Sequence, residues 1–181
     1  MKDTLVVNLF GSPSTGKSTT MAEVFGKLKR LGVDCEIATE FAKDLVWENR
    51  QDSLKDQLYV FAKQYHKLFR LDGKVQVVVT DSPLLLSMFY NNKYNNTGSD
   101  FNKSLNQMVM SAHNKFNTMN VYLHRTKPYN PNGRNQTEEE SNEISLELMD
   151  LLRDLNVDVE ELYADEKVSE VIVNMIMKFN K

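Results

Sequence analysis

The residues whose chemistry is easiest to interpret form one short segment near the start of the chain. Residues 11–18 are Gly-Ser-Pro-Ser-Thr-Gly-Lys-Ser, which matches the pattern G-x-x-x-x-G-K-[ST] without exception. Gly11 and Gly16 allow a tight turn that brings backbone N–H groups against phosphate oxygens. We expect Lys17 to reach the β- and γ-phosphates and the Ser18 hydroxyl to ligate Mg²⁺. The segment therefore predicts a nucleoside-triphosphate site, and the alternative is a chance match in a glycine turn.

The flanking sequence favours the first interpretation. Residues 5–10 predict a buried strand, and residues 17–31 predict a helix closed by Gly32. This strand–loop–helix context is the one that the pattern requires, and the positive end of the helix dipole adds to the attraction for phosphate. The residues predicted to contact the nucleotide are Gly11, Ser14, Thr15, Gly16, Lys17, Ser18 and Thr19.

An acidic residue follows the most apolar predicted strand, residues 75–80. Ligands bind at the carboxyl ends of strands in open α/β sheets, so Asp81 is well placed to take part in a site there. We expect Asp81 and Ser18 to support the Mg²⁺ shell together. The alternative is that Asp81 caps the turn that follows it at residues 82–83.

Glu40 follows the predicted strand at residues 33–38 and is the leading candidate for the group that orients and deprotonates a hydroxyl acceptor. The alternatives are that Glu40 is a solvated acid at a helix N-terminus, or that Asp44 takes the role. Four aromatic side chains in nearby helical segments are candidates either for stacking on a base or for the core: Phe41, Trp47, Tyr59 and Phe61.

Residues 125–136 combine three cations with proline, asparagine and glycine and do not predict a continuous helix. We interpret them as a lid, with Arg125 and Arg134 aimed at the phosphates. Closing such a segment adds positive charge at the transferring group and excludes water. The alternative is a solvent-exposed basic loop.

The rest of the sequence predicts the elements that must position these residues. Strands are predicted at 5–10, 33–38, 75–80, 120–124 and 157–162. Helices are predicted at 17–31, 41–49, 53–71, 101–117, 137–155 and 167–179, with Thr137 and Glu140 at the spacing of a capping box and a polar loop at 91–99. This alternation predicts an α/β fold of three layers, with a parallel sheet of about five strands covered by helices on both faces. At 181 residues we expect one domain, residues 1–181.

Composition excludes several classes of protein. The net charge is 22 minus 25, or -3, which argues against a strongly basic nucleic-acid coat protein but permits a local basic cleft. Cys35 is the single cysteine, so no intramolecular disulfide forms, and the chain contains no zinc-binding Cys/His cluster. No apolar run approaches the roughly 20 residues of a membrane span, and the N-terminus does not resemble a signal peptide. We therefore expect a cytoplasmic protein with no membrane association.

Four segments together carry a family resemblance: residues 11–19, 39–44, 80–84 and the Asn-Gly-Arg at 132–134. With them the chain resembles the small single-domain P-loop kinases. Within that group it is most similar to the ribosylnicotinamide-kinase-like, AAA-type ATPase domains that are often found in bacteriophage genomes.

That resemblance implies ATP and Mg²⁺ as cofactors. It also implies that Glu40 contacts the acceptor hydroxyl, that Asp81 supports the metal, and that Arg125 and Arg134 bind phosphates. Many relatives have an arginine directly after the acid of the third strand, where this chain has Ser82. Lys43 lies where relatives often have an arginine, and the resemblance implies that it replaces that arginine in part.

Three functions remain open at this stage. The first is a kinase that transfers the γ-phosphoryl group of ATP to a hydroxyl or phosphate of a small nucleoside or nucleotide. The second, also implied by the resemblance, is the same chemistry on 5-hydroxymethyl-pyrimidine bases in modified DNA. The candidate DNA-binding face for that function consists of Lys93, Lys103, Lys115 and Lys127. The third is a nucleotide-driven ATPase switch that binds a partner protein. We expect a monomer or a homodimer.

Overall fold

The computed structural model describes residues 4–95, 98–132 and 136–179. In these ranges the strands are β1 (Leu5–Phe10), β2 (Cys35–Ala38), β3 (Val77–Thr80), β4 (Asn117–His124) and β5 (Glu160–Tyr163). The helices are α1 (Lys17–Arg30), α2 (Phe41–Trp47), α3 (Gln51–Lys55), α4 (Gln57–Phe69), α5 (Leu85–Tyr94), α6 (Asp100–Asn114), α7 (Glu138–Asp154) and α8 (Val168–Phe179). None of these helices combines the length and apolarity that a bilayer crossing demands.

The strands form one sheet in the order β2-β3-β1-β4-β5, and every pairing is parallel. Strand β1 is central and is buried along its whole length, as is β3. Continuous apolar strands of this kind are typical of parallel sheets whose two faces are both covered by helices. The predicted α/β fold with a five-stranded parallel sheet is therefore confirmed.

Successive side chains of β1 enter two separate cores because side chains alternate between the faces of a strand. Val6 and Phe10 pack in a core with α4, α5, α6 and α7. Leu5, Val7 and Leu9 pack in a second core with α1 and α8. Helices thus cover the sheet on both sides, and the three-layer arrangement holds the carboxyl ends of β1, β2 and β3 side by side.

The predicted polar loop at residues 91–99 is wrong for its first part, because α5 continues to Tyr94. Leu85 and Phe89 are buried in the core and hold this helix against the sheet. Asn91 is also buried, and its side-chain amide donates a hydrogen bond to Asn106 Oδ1 on α6 at 2.9 Å. Tertiary contacts therefore extend the helix through residues whose local preference is for a turn.

The predicted helix at 53–71 is in fact two helices, α3 and α4, and the predicted helix at 101–117 ends earlier than expected. Asp56 separates α3 from α4 because its side chain accepts a hydrogen bond from Tyr59 N at 3.1 Å and caps the second helix. Asn117 belongs to β4, where it pairs with Leu5 of β1. The ends of these helices are therefore set by a capping hydrogen bond and by strand pairing, neither of which the spacing of apolar residues reveals.

Candidate active site

The turn between β1 and α1 has the geometry of a phosphate-binding loop. Gly11 has φ 141° and Gly16 has φ 96°, both in the region that favours glycine. A Cβ atom on Gly11 would lie 2.8 Å from the carbonyl oxygen of Leu123 and 2.8 Å from Thr15 Oγ1. Gly11 is therefore required by steric contact as well as by its backbone angles.

Lys17 lies over this loop. Its ammonium group donates hydrogen bonds to the carbonyl oxygens of Gly11 at 2.8 Å and Ser12 at 3.0 Å. Thr15 Oγ1 also donates to Ser12 O, at 2.9 Å, which holds the turn closed. The positive charge is thus concentrated in the loop from which α1 begins, where the helix dipole adds to it.

The Asp81 carboxylate makes hydrogen bonds both to the start of α1 and to the backbone that follows β2. One of its carboxylate oxygens accepts a hydrogen bond from Ser18 Oγ at 2.6 Å, and the other accepts one from Glu40 N at 3.0 Å. The carboxylate is buried and reaches both partners because β3 lies between β1 and β2. The N–H of Ser82 donates instead to Thr80 Oγ1, at 3.1 Å, so the turn after β3 is held by Thr80.

The side chains of Ser18 and Asp81 provide the kind of ligands that a magnesium ion prefers. A hydroxyl oxygen and a carboxylate oxygen lie 2.6 Å apart beside the loop, at Ser18 and Asp81. Mg²⁺ prefers such oxygen ligands and usually takes only one or two from the protein, with water and substrate phosphates completing its shell. Ser18 and Asp81 are therefore the residues that would hold the ion.

Glu40 is positioned by a buried polar network at the carboxyl ends of β2 and β3. The N–H of Phe41 donates to Gln64 Oε1 at 3.2 Å, and the Gln64 amide donates to Thr80 Oγ1 at 3.4 Å. Thr80 Oγ1 in turn donates to the carbonyl oxygen of Ala38 at 2.7 Å. These bonds, with the one from Glu40 N to Asp81, fix the backbone at the start of α2.

A cleft with a volume of about 510 Å³ runs from the phosphate loop past Glu40 to α5. All seven residues predicted to contact the nucleotide line it: Gly11, Ser14, Thr15, Gly16, Lys17, Ser18 and Thr19. Glu40 lines it as well, whereas Asp81 is buried behind Ser18. Asp44, the alternative to Glu40, is not among the lining residues. The structure therefore brings the loop, the Ser18 hydroxyl and Glu40 to a single cleft, with the buried Asp81 carboxylate hydrogen-bonded to Ser18.

The far wall of this cleft contains Tyr90 and Tyr94, which the sequence analysis missed. Their rings stack with centroids 6.0 Å apart and an interplanar angle of 4°. Burial, together with the negative charge of the nearby Glu40, raises the pKa of Tyr90 above its ordinary value, so Tyr90 stays a neutral phenol and can donate a hydrogen bond. Their spacing in the sequence could have indicated them, because two tyrosines four residues apart lie on the same face of a helix.

The aromatic side chains considered from sequence lie elsewhere. Phe61 is buried in the core, and Phe41 packs edge-to-face on Tyr59 with ring centroids 5.4 Å apart. Trp47 is 65% exposed. None of the four is among the residues that line the cleft in the described part of the chain.

Arg125 is bound at the start of α7 and is not among the cleft residues. Its guanidinium group donates to Asn142 Oδ1 at 2.7 Å and pairs with Glu138 Oε1 at 3.0 Å. It also lies over the ring of Tyr129, 5.5 Å from the centroid. The structure therefore places Arg125 as an anchor of the predicted lid, while Arg134 lies outside the described residues.

The predicted lid contacts the phosphate loop directly. Asn130 N donates to Ser14 Oγ at 2.9 Å, and Gln136 lines the cleft. Ser141, in the first turn of α7, donates to the carbonyl oxygen of Pro13 at 2.8 Å. The segment and the helix after it thus pack against the loop that they are expected to cover.

The fold and the loop together define a P-loop NTPase domain. The family model described as an AAA domain matches residues 6–168, and the chain belongs to this family. Among solved structures the chain is similar to the NadR protein in complex with NR, with a TM-score of 0.73 and 18% sequence identity over 93% of this chain. The chain spans about half the length of that protein, 50% of which is covered, and the similarity is one of fold. No curated protein matches the sequence.

Proposed function

We propose that the protein is an ATP- and Mg²⁺-dependent kinase that transfers the γ-phosphoryl group to a hydroxyl of a nucleoside- or nucleotide-type acceptor. The observation that carries this proposal is the Asp81 carboxylate, which contacts Ser18 Oγ at 2.6 Å and Glu40 N at 3.0 Å. The oxygen pair that would hold a metal and the backbone of the candidate base are thereby linked through one buried carboxylate beside the cleft. A nucleotide-driven switch needs no such acceptor space beyond the phosphate loop.

The residues around the nucleotide have separate roles in phosphoryl transfer. Lys17 and the backbone N–H groups of the loop neutralise charge on the β- and γ-phosphates. Ser18 and Asp81 would hold Mg²⁺, which would supply further positive charge at these phosphates. The lid excludes water from the transferring group.

The transfer itself is an in-line displacement. The acceptor oxygen forms a bond to the γ-phosphorus while the bond between that phosphorus and the β,γ-bridging oxygen breaks. The electron pair of the broken bond stays on the bridging oxygen, which leaves as part of ADP. The proton of the acceptor hydroxyl passes to the carboxylate of Glu40. Tyr90, neutral and close to Glu40, is placed to donate a hydrogen bond to the acceptor.

Three observations favour a small-molecule acceptor over a base in DNA. The similar NadR structure is in complex with NR, and the cleft volume of about 510 Å³ lies within the range of small-molecule sites. Three of the four lysines considered for a DNA-binding face are already partnered: Lys93 with Glu147, Lys103 with Asp100, and Lys115 with Tyr65.

The test is transfer of labelled γ-phosphoryl from ATP and Mg²⁺ to a panel of nucleosides, deoxynucleosides, their monophosphates, nicotinamide riboside and DNA that contains hydroxymethyl-pyrimidines. We expect label on a small molecule. Glu40→Gln should lower kcat at least about 100-fold, because general bases contribute a factor of that order. It should leave the Kd for ATP nearly unchanged. Lys17→Ala should lower turnover by several orders of magnitude and weaken ATP binding as well.

Glu48→Gln is the matched control, since Glu48 lies at the other end of α2, is exposed, and is not among the cleft residues. Label on DNA alone would favour the base-modifying kinase. Phosphate released to water with no labelled acceptor would favour the ATPase switch. Equal loss of ATP binding and transfer in Glu40→Gln would make Glu40 a structural residue.

A further inference from the structure

The last turn of α5, residues 91–94, forms part of the far wall of the cleft. Tyr94 is the final residue of this helix and lines the wall together with Tyr90, on which its ring stacks. Tyr94 is 58% exposed, so burial in a core does not fix its side chain. The position of the Tyr94 ring therefore depends on the helix continuing through residues 91–94.

The sequence of this turn does not by itself favour a helix. Asn91 and Asn92 have short polar side chains that compete for backbone hydrogen bonds, and asparagine is for that reason favoured in turns and at helix ends. Asn95 follows the turn, and its N–H donates to the carbonyl oxygen of Asn91 at 3.0 Å. The helical form of the turn thus depends on contacts with other parts of the chain.

Helix α6 supplies such contacts through the side chain of Asn91, which is fully buried. The side-chain nitrogen of Asn91 donates to Asn106 Oδ1 at 2.9 Å and to the carbonyl oxygen of Asn102 at 3.4 Å. Its Oδ1 accepts from Asn95 Nδ2 at 3.0 Å. The nitrogen and the oxygen of this buried amide are therefore both paired, and loss of a partner would leave a buried polar group unsatisfied.

A second hydrogen bond joins the same turn to α6. Asn106 Nδ2 donates to Asn92 Oδ1 at 2.6 Å, so Asn106 contacts both asparagines of the turn. Lys93, between them, pairs with Glu147 of α7, but ion pairs with an exposed partner contribute little to stability. Asn106 is not among the cleft residues, so any effect that it has on the site is transmitted through α5.

We propose that Asn91 and Asn106 are positioning residues for the acceptor. Their hydrogen bonds keep the last turn of α5 helical before the acceptor binds, so that Tyr94 is already in place in the wall. A preformed wall favours binding because no segment has to be ordered when the acceptor enters. The inference rests on the proposed function, since this wall contacts an acceptor only if the cleft binds one.

The test is the steady-state kinetics of Asn106→Ala with the acceptor panel described above. KM and kcat are measured for nicotinamide riboside and for every other panel member that receives label. We expect the KM for the acceptor to rise about 3- to 10-fold, the effect of losing one hydrogen bond. The value of kcat and the Kd for ATP should stay close to those of the original protein, because loss of binding that is shared by the ground state and the transition state changes KM alone.

Two further substitutions on α6 separate the hydrogen bond from a general effect on the helix. Asn106→Asp keeps an oxygen that accepts from Asn91 and should restore most of the original KM. Gln107→Ala is the matched control, because Gln107 is exposed on the same helix and is not among the cleft residues. It should leave KM unchanged.

A double-mutant cycle tests whether the hydrogen bonds act through Tyr94. Tyr94→Ala removes the ring from the wall and should itself raise the KM for the acceptor. Adding Asn106→Ala to that variant should then have little further effect. Fully additive effects of the two substitutions would overturn the proposal.

Amide hydrogen exchange, measured without an acceptor, gives an independent readout. Exchange at residues 91–95 should be faster in Asn106→Ala than in the original protein, in Asn106→Asp or in Gln107→Ala. Unchanged exchange there, or an unchanged KM with measurable transfer, would overturn the positioning role alone. Absence of transfer to any acceptor by the original protein would contradict the proposed kinase function, and the positioning role would be overturned with it.

Discussion

At the scale of single residues, the candidate site depends on side chains that each satisfy one specific contact. Asp81 is the clearest case, since its two carboxylate oxygens accept from Ser18 Oγ and from Glu40 N. Gly11 is another, because the space its missing Cβ would occupy is taken by the backbone of β4 and by Thr15. Such residues tolerate little change, and their replacement should affect the site more than the fold.

Gly11→Ala should disrupt the loop. The added Cβ would meet Leu123 O at 2.8 Å, and alanine is strained at φ 141°. We expect ATP affinity to fall at least about tenfold, since a loop displaced from its contacts loses charge-assisted hydrogen bonds to phosphate. Nucleotide binding measured by calorimetry tests this.

Gly26→Ala is the matched control for this change, because Gly26 lies within α1 and a Cβ there would meet nothing within 4 Å. That variant should bind ATP normally. Unchanged ATP affinity in Gly11→Ala would show that the close approach at Gly11 is unimportant for the loop.

At the scale of elements, α5 and α7 form much of the site around the loop. Helix α5 contributes Tyr90 and Tyr94 to the far wall of the cleft. Helix α7 begins with the predicted capping box, in which Thr137 Oγ1 accepts from Glu140 N at 3.2 Å and the Glu140 carboxylate accepts from Thr137 N at 2.7 Å. Ser141, in the same turn, donates a hydrogen bond to the carbonyl oxygen of Pro13 in the phosphate loop. Loss of helical structure at the start of α7 would therefore also remove a contact to the phosphate loop.

Thr137→Ala should lower the free energy of unfolding by about 1 kcal/mol, the typical cost of losing an N-cap side chain. The cap no longer satisfies the N–H of Glu140 once the hydroxyl is removed. Urea denaturation at constant pH measures the change. Thr137→Ser keeps the hydroxyl and should restore most of the stability, so equal losses in both variants would rule out the capping explanation.

At the scale of the whole molecule, the two cores on either side of the sheet stabilise the fold, and burial also affects the titration of a histidine side chain. His113, near the end of α6, is only 7% exposed. Burial lowers the pKa of its imidazole below the ordinary value of 6.5, because the charged form is disfavoured away from water. The unfolded chain therefore takes up a proton at a higher pH than the folded protein does.

It follows that the contribution of His113 to stability is complete above pH 6.5 and is lost as the pH falls below that value. The loss should approach about 1.4 kcal/mol per pH unit until the folded protein also binds the proton. Urea denaturation between pH 7.5 and 5.5 measures it. His113→Gln should make the free energy of unfolding depend less on pH. His66→Gln is the control, because His66 is exposed, and it should leave the pH dependence unchanged. Identical pH profiles for the original protein and both variants would contradict the argument.

Local features were predictable from the sequence because they depend on residues that are close along the chain. The phosphate loop is defined by the spacing from Gly11 to Ser18, and the capping box by the spacing from Thr137 to Glu140. The apolar runs of β1 and β3 indicated strands covered on both faces. Parallel α/β topology followed from the alternation of strands and helices, since a parallel pair needs a crossover.

The arrangement of the site was decided only by the tertiary structure. The order of the strands brings Asp81 to Ser18, 63 positions earlier in the chain, and no local pattern encodes that distance. Packing of α5 on the sheet places Tyr90 near Glu40, although the asparagines at the end of this helix predict a loop. The role expected for Arg125 also depended on tertiary contacts, because the partners that bind its guanidinium group lie on the next helix along the chain. Sequence determined which chemical groups the protein carries, and packing of the sheet and helices determined which of them meet.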